Sequence, residues 1–110
     1  MKVEQKGHTT IIRNTQGSSA VFLQKVLQEY HTFQKQNLIL DLSQDKDLTM
    51  EDVKSFAVLT KKHAKEKKSL ILVADSVNFN AVPNSITLVP TVLEAHDIIE
   101  MDEIERDLGF

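Results

Sequence analysis

The chain has 110 residues, of which 41% are hydrophobic and 26% are charged, and it carries a net charge of −3. This length is typical of one domain, and the composition is too apolar for a disordered chain, so we predict a single domain over residues 1–110. The sequence contains no cysteine, which excludes disulfides and thiolate metal sites. It also contains no apolar run of the ~20 residues that cross a membrane and no signal peptide, so we expect a cytoplasmic protein with no membrane partner.

The first predicted elements are a β-ribbon and a helix. Residues 3–5 and the β-branched segment 8–14 flank Lys6-Gly7, which predicts a hairpin. Ser18 is a typical N-cap, and the apolar residues that follow it recur at helical spacing. We therefore predict the first helix over residues 19–34.

Two nearly continuous apolar runs, residues 38–42 and 70–75, predict strands that are buried on both faces of a sheet. Between them, Thr49 and Asp52 have the spacing of a helix N-cap, which predicts a second helix. Because one helix joins the two strands, we expect them to be adjacent and parallel, with a right-handed crossover. The predicted buried stripe of the second helix consists of Val53, Phe56, Ala57, Thr60 and Ala64.

The second helix is rich in lysine, with Lys54, Lys61, Lys62, Lys65, Lys67 and Lys68 in or just after it. A basic cluster can bind nucleic acid. These lysines gather toward the end of the helix, where cations complement its dipole, and the chain is acidic overall. We therefore expect no nucleic-acid partner.

The last third of the chain predicts a loop, a strand and a helix. Residues 76–84 are rich in asparagine and predict a loop, and residues 85–89 predict a short strand near an edge of the sheet. Pro90 is compatible with the first turn of a helix over residues 91–108, and Gly109 is its expected C-cap. The apolar stripe changes phase near Glu100, which predicts a break there.

These elements predict an α/β fold. We expect a mixed, mostly parallel sheet of four to five strands, with an N-terminal β-ribbon and with helices packed on the sheet.

Residues 37–55 and 70–75 carry a resemblance to a known family. The chain resembles a STAS domain, the fold of the anti-sigma-factor antagonists, over nearly its whole length. In that family a strand like Leu38-Ile-Leu-Asp-Leu42 is followed by an Asp-Ser-Ser/Thr-Gly segment that begins the next helix. The resemblance implies a non-enzymatic signalling module that binds a regulatory protein, such as an anti-sigma-like kinase that phosphorylates the second Ser or Thr.

The segment that aligns with this switch is Thr49-Met50-Glu51-Asp52. Glu51, or Met50 with a shift of one residue, stands in place of the phosphoacceptor, and Asp52 stands in place of the glycine. A carboxylate at a helix start is stabilised much as a phosphate would be. The resemblance therefore implies a partner-binding surface at Asp47, Thr49, Met50, Glu51 and Asp52, locked in one state by Glu51. We interpret Thr49 as a helix cap rather than as a phosphosite.

Two other functions are left open. Asp41 and Asp75 lie at strand ends, where open α/β sheets bind ligands, so a small ligand-binding or enzymatic domain is one alternative. Aspartates at these positions are also typical of turns and caps. The other alternative is a structural subunit that docks onto a larger protein through its C-terminal helix. A homodimer is also left open.

We predict no catalytic residue, metal or cofactor. The histidines, His8, His31, His63 and His96, lie on different predicted elements and lack the spacing of a metal site. The sequence also lacks a Gly-x-Ser-x-Gly elbow and a glycine-rich phosphate loop.

Overall fold

A five-stranded sheet forms the centre of the molecule. The computed structural model describes residues 1–15 and 17–109. The strands lie side by side in chain order: β1 (Lys2–Lys6), β2 (Thr9–Arg13), β3 (Asn37–Asp41), β4 (Leu70–Val73) and β5 (Thr87–Val89). β1 pairs antiparallel with β2, and the other three pairs are parallel. The predicted α/β class and mostly parallel sheet are confirmed.

The N-terminal β-ribbon is the hairpin of β1 and β2. Gly7 lies in its two-residue turn with φ of 62°, a left-handed conformation that glycine adopts without strain. All five residues of β1 are exposed, as expected of an edge strand. Lys2, Glu4 and Lys6 place charges along this edge, which disfavours pairing with the edge of another sheet. The predicted ribbon is confirmed.

β3 and β4 are adjacent, parallel and buried along their whole length. Successive side chains of a strand point to opposite faces, so Leu38 and Leu40 enter the larger core while Ile39 enters the smaller one. Both faces of these strands are covered, which explains why their sequences are continuously apolar. The predicted adjacency and parallel direction are confirmed.

Four helices cover the larger core: α1 (Ser19–Gln28), α2 (Tyr30–Phe33), α3 (Met50–Ser55) and α4 (Ala57–Lys65). The expectation of one continuous helix over residues 19–34 is wrong, because the chain turns at Glu29. The helix predicted after Thr49 is also divided, into α3 and α4. The chain bends between them at Phe56, where the backbone N–H donates to the Val53 carbonyl three residues back. Ser18 and Thr49 cap α1 and α3 as predicted.

The bend at Phe56 also changes which side chains the helix buries. Where a helix has three residues per turn, side chains three positions apart lie on the same side. Val53, Phe56 and Leu59 therefore all face the larger core. His63 continues this stripe, whereas Ala64 is exposed. The predicted stripe is therefore buried at Val53 and Phe56, half-buried at Ala57 and Thr60, and wrong at Ala64.

A fifth helix, α5 (Val92–Asp107), covers the other face of the sheet. Ala95 and Ile99 pack in the smaller core, and the Thr91 hydroxyl caps the helix by accepting from the Glu94 N–H at 3.1 Å. Gly109, with φ of 80°, follows the end of the helix as predicted. The predicted break near Glu100 is wrong, because the two apolar stripes face opposite sides of one unbroken helix. No helix within residues 1–15 and 17–109 is long and apolar enough to span a membrane.

The loop before β5 is irregular, as predicted, except for one turn of 3₁₀-helix at Phe79–Ala81. The Asn78 side chain begins this turn by accepting from the Asn80 N–H at 3.0 Å. Asparagine in this position is typical of an Asx turn, so the residues that predicted a loop also shape it.

A polar network fastens the C-terminal half of α5 to the amino ends of β3 and β4. The Arg106 guanidinium donates to the Asn37 side-chain oxygen at 3.2 Å and to the Ser69 hydroxyl at 3.1 Å. The Ser69 hydroxyl donates in turn to Asp102 at 2.7 Å. Because Asn37 and Ser69 are buried, these bonds are shielded from competition by water.

His63 and Tyr30 form a buried polar pair. Nε2 of His63 lies 2.7 Å from the Gln36 carbonyl oxygen, and Nδ1 lies 2.7 Å from the Tyr30 hydroxyl. A carbonyl oxygen only accepts, so we assign the ring proton to Nε2, which donates to Gln36. Nδ1 is then unprotonated and accepts a hydrogen bond from the Tyr30 hydroxyl. Burial lowers the pKa of His63 and outweighs the opposing effect of the Gln36 carbonyl. His63 is therefore a structural residue in its neutral form.

We predict that His63 makes the protein less stable in mild acid. Its pKa is lower in the folded than in the unfolded chain, so below about pH 6.5 the unfolded chain binds the proton more readily. The free energy of unfolding therefore decreases as the pH is lowered. Urea unfolding between pH 7 and pH 5 should show this slope in the wild type and a flatter slope in His63→Gln. The exposed His31→Gln is the matched control and should keep the wild-type slope. Equal slopes in all three proteins would contradict the assignment.

Candidate functional site

The predicted site residues lie at the carboxyl end of the parallel strands. Asp41 ends β3, Asp75 follows β4 by two residues, and the linker 44–49 leads from β3 to α3. The Asn14 N–H donates to the Asp41 carbonyl at 3.0 Å and so extends the pairing of β2 and β3 into this edge. We call this surface the carboxyl edge.

Asp41 is engaged on both carboxylate oxygens. Oδ1 accepts from the Ser43 N–H at 3.0 Å and from the Ser43 hydroxyl at 2.6 Å, which closes a turn after the strand. Oδ2 lies 3.5 Å from Nε of Arg13, which also reaches Glu4 on β1 at 3.0 Å. Asp41 is therefore a buried turn residue whose charge Arg13 balances.

Asp75 is exposed, and within residues 1–15 and 17–109 its carboxylate has no hydrogen bond or ion pair. Four clefts among the described residues have other linings, and neither Asp75 nor Asp41 belongs to any of those four. The structure therefore places the two aspartates at the same edge but outside these four clefts.

A shallow cleft of about 510 Å³ lies between the start of α1 and the start of α3. It is lined by Gly17, Ser18, Gln44, Asp45, Lys46, Asp47 and Asp52. Two of the predicted partner-binding residues, Asp47 and Asp52, thus come together here, whereas Glu51 lies outside the cleft.

Asp45 ties the linker to the first turn of α1. Its Oδ2 accepts from the Ser19 N–H at 2.9 Å and from the Ser19 hydroxyl at 2.8 Å, and its Oδ1 accepts from the Asp47 N–H at 3.1 Å. Partial burial raises the pKa of Asp45, but the bonds from Ser19 and Asp47 outweigh it and lower the pKa overall. Sequence reasoning missed this residue because its partner Ser19 is 26 positions away.

Thr49 and Asp52 form a capping box at the start of α3. The Thr49 hydroxyl accepts from the Asp52 N–H at 3.2 Å, and the Asp52 carboxylate accepts from the Thr49 N–H at 3.0 Å. Each side chain thus satisfies a backbone donor that the helix leaves free. The predicted cap is confirmed, and both side chains have a structural role.

The remaining predicted residues differ in exposure. Met50 is half-buried and packs against the larger core. The Glu51 side chain is 86% exposed, with its carboxylate 3.8 Å from Nζ of Lys54 on the same helix. Asp47 is also exposed. Glu51 and Asp47 are therefore the two carboxylates of the predicted surface that are exposed, whereas Asp52 is half-buried.

Within residues 1–15 and 17–109, no group of three or more metal-binding side chains is arranged to hold an ion. The histidines are dispersed: Nδ1 of His8 lies 3.7 Å from the Glu103 carboxylate, and His63 is buried beside Tyr30. No family model matches the chain, and no curated protein matches it either.

We predict that Asp45→Asn lowers the free energy of unfolding by about 1–2 kcal/mol, because hydrogen bonds to a charged acceptor are worth more than those to a neutral one. Asp47→Asn is the matched control and should be near neutral, since its exposed carboxylate supports no element. The lowered pKa of Asp45 adds stability above the unfolded pKa of about 3.9, and this stability is lost as pH falls through the folded pKa. Chemical denaturation of both variants at pH 7 measures the difference, and equal stabilities would refute the link to α1.

Proposed function

We propose that this chain is a non-enzymatic protein-interaction module of the STAS type that binds a regulatory protein in the cytoplasm. The surface that we propose for the partner is the start of α3 with its linker. The observation that carries this proposal is the exposed Glu51 carboxylate, which stands on a helix start that the neighbouring residues hold in place.

The order of this surface favours binding. Thr49 and Asp52 fix the first turn of α3, and Asp45 fixes the linker to Ser19. Binding to a segment that is already ordered costs less conformational entropy than binding to a loop that must become ordered in the complex. The capping residues and Asp45 therefore support the display of Glu51 and Asp47 rather than contact the partner themselves.

The charge of Glu51 is accessible. Its ion pair with Lys54 is long and exposed, and such pairs are worth only about 0.2–0.5 kcal/mol. An arginine or lysine of a partner can replace Lys54 at little cost. The carboxylate carries about one negative charge where a phosphoserine carries nearly two. In this proposal Glu51 supplies permanently the charge that phosphorylation supplies in the resembling family.

The alternative of a ligand-binding or enzymatic domain has less support. Both oxygens of Asp41 are already engaged with Ser43 and Arg13. A carboxylate in this state has little capacity left for a ligand or a proton transfer.

We predict that Glu51→Ala and Glu51→Gln leave the fold intact and weaken capture of the partner. An exposed charge near a helix start is worth about 0.3–1 kcal/mol, so the melting temperature should change little. Glu29→Gln, an exposed glutamate after α1, is the matched control. Melting temperatures and the proteins captured from native lysate of the source cells should be measured for all variants.

The comparison of the two variants identifies the property that the partner reads. Glutamine keeps the size of the side chain and loses the charge, so equal losses in both variants assign the effect to charge. Unchanged capture by the folded variants would refute Glu51 as a phosphate surrogate and leave it an ordinary residue of the first turn.

A further inference from the structure

The C-terminal half of α5 and its C-cap residue, Leu108, expose three large apolar side chains. Met101, Ile104 and Leu108 are 61%, 55% and 65% exposed. At about 100° per residue they lie along one side of the helix, opposite Ala95 and Ile99, which face the sheet. We call these three residues the α5 stripe. Exposed apolar residues that line up along one side of a helix are candidates for an interaction surface.

Acidic side chains surround the α5 stripe. The exposed carboxylates on this side of the helix are Glu94, Asp97, Glu100, Glu105 and Asp107. Within residues 1–15 and 17–109 none of these carboxylates takes part in an ion pair. The surface is thus an apolar strip with a negative rim, and it complements an apolar strip with a positive rim.

A second copy of the chain does not provide that complement. Two α5 stripes facing each other bring like charges together, which opposes a symmetric dimer. The basic outer side of α4, around Lys61 and Lys62, has the right charge, but Val58 is its one exposed large apolar residue among the described residues. It therefore has too little apolar surface to cover Met101, Ile104 and Leu108.

We propose that the α5 stripe docks an amphipathic helix of another protein, with apolar residues on one side and lysine or arginine flanking them. A helix laid on this strip covers the three apolar side chains and brings cations to the acidic rim. This surface lies on the opposite face of the sheet from α3, so it is separate from the surface around Glu51.

The test uses three synthetic peptides: a helical leucine–lysine peptide with its leucines on one side, the same composition in scrambled order, and a helical leucine–glutamate peptide. Titration calorimetry should show binding of the first peptide to the wild type and at least tenfold weaker binding of the other two. Ile104→Ser should weaken the first complex about tenfold or more, because it removes buried apolar area. Val21→Ser, a similarly exposed valine on α1, is the matched control and should bind as the wild type does.

Charge reversal tests the rim. Glu100→Lys with Glu105→Lys should weaken the leucine–lysine peptide and strengthen the leucine–glutamate peptide, while circular dichroism confirms that each variant is folded. Glu51→Ala should leave peptide binding unchanged, so failure here is distinguishable from failure of the proposed α3 surface.

Three results would overturn the proposal. The first is absence of binding by the leucine–lysine peptide. The second is equal binding of the scrambled peptide, which would reduce the effect to charge alone. The third is self-association of the wild type in sedimentation equilibrium that Ile104→Ser abolishes, which would make a second copy the occupant.

Discussion

The parallel pairing of β3 with β4, buried on both faces, is the constraint on which the rest of the structure depends. Each strand must place side chains into two cores, so the chain has to supply helices above and below the sheet. α1 to α4 cover one side and α5 covers the other. The same arrangement sends the turn residues after β3 and β4 to one edge. It also directs α3 and the outer side of α5 away from each other.

Much of the fold could be predicted because its signals are local. The apolar runs at residues 38–42 and 70–75, and the caps Ser18 and Thr49, each occupy a few consecutive positions. The bends at Glu29 and Phe56 could not be predicted from local signals, because no glycine or proline lies near either position. The sequence of α5 shows the phase change between its two apolar stripes, but only the structure shows that one stripe packs on the sheet and the other is exposed.

The candidate site was predictable only in part, for the same physical reason. The capping box needs two residues three positions apart, so its spacing was visible. The bond between Asp45 and Ser19 joins distant positions that only the fold brings together, and the same holds outside the site for the pair of His63 with Tyr30. The site therefore divides into residues that hold the backbone, which are mostly polar and engaged, and Glu51, whose exposure leaves it available to a partner.

The bonds of Arg106 and Asp102 to the sheet have a consequence for the dynamics of α5. Last turns of helices commonly fray, because their carbonyls lack partners within the helix. Here, opening the last turns also detaches the Arg106 guanidinium from the sheet. The buried side-chain oxygens of Asn37 and Ser69 then lose a hydrogen-bond donor. We therefore expect the end of α5 and the amino ends of β3 and β4 to open as one cooperative unit. Slow amide exchange should extend to the end of this helix, instead of fading along its last turns.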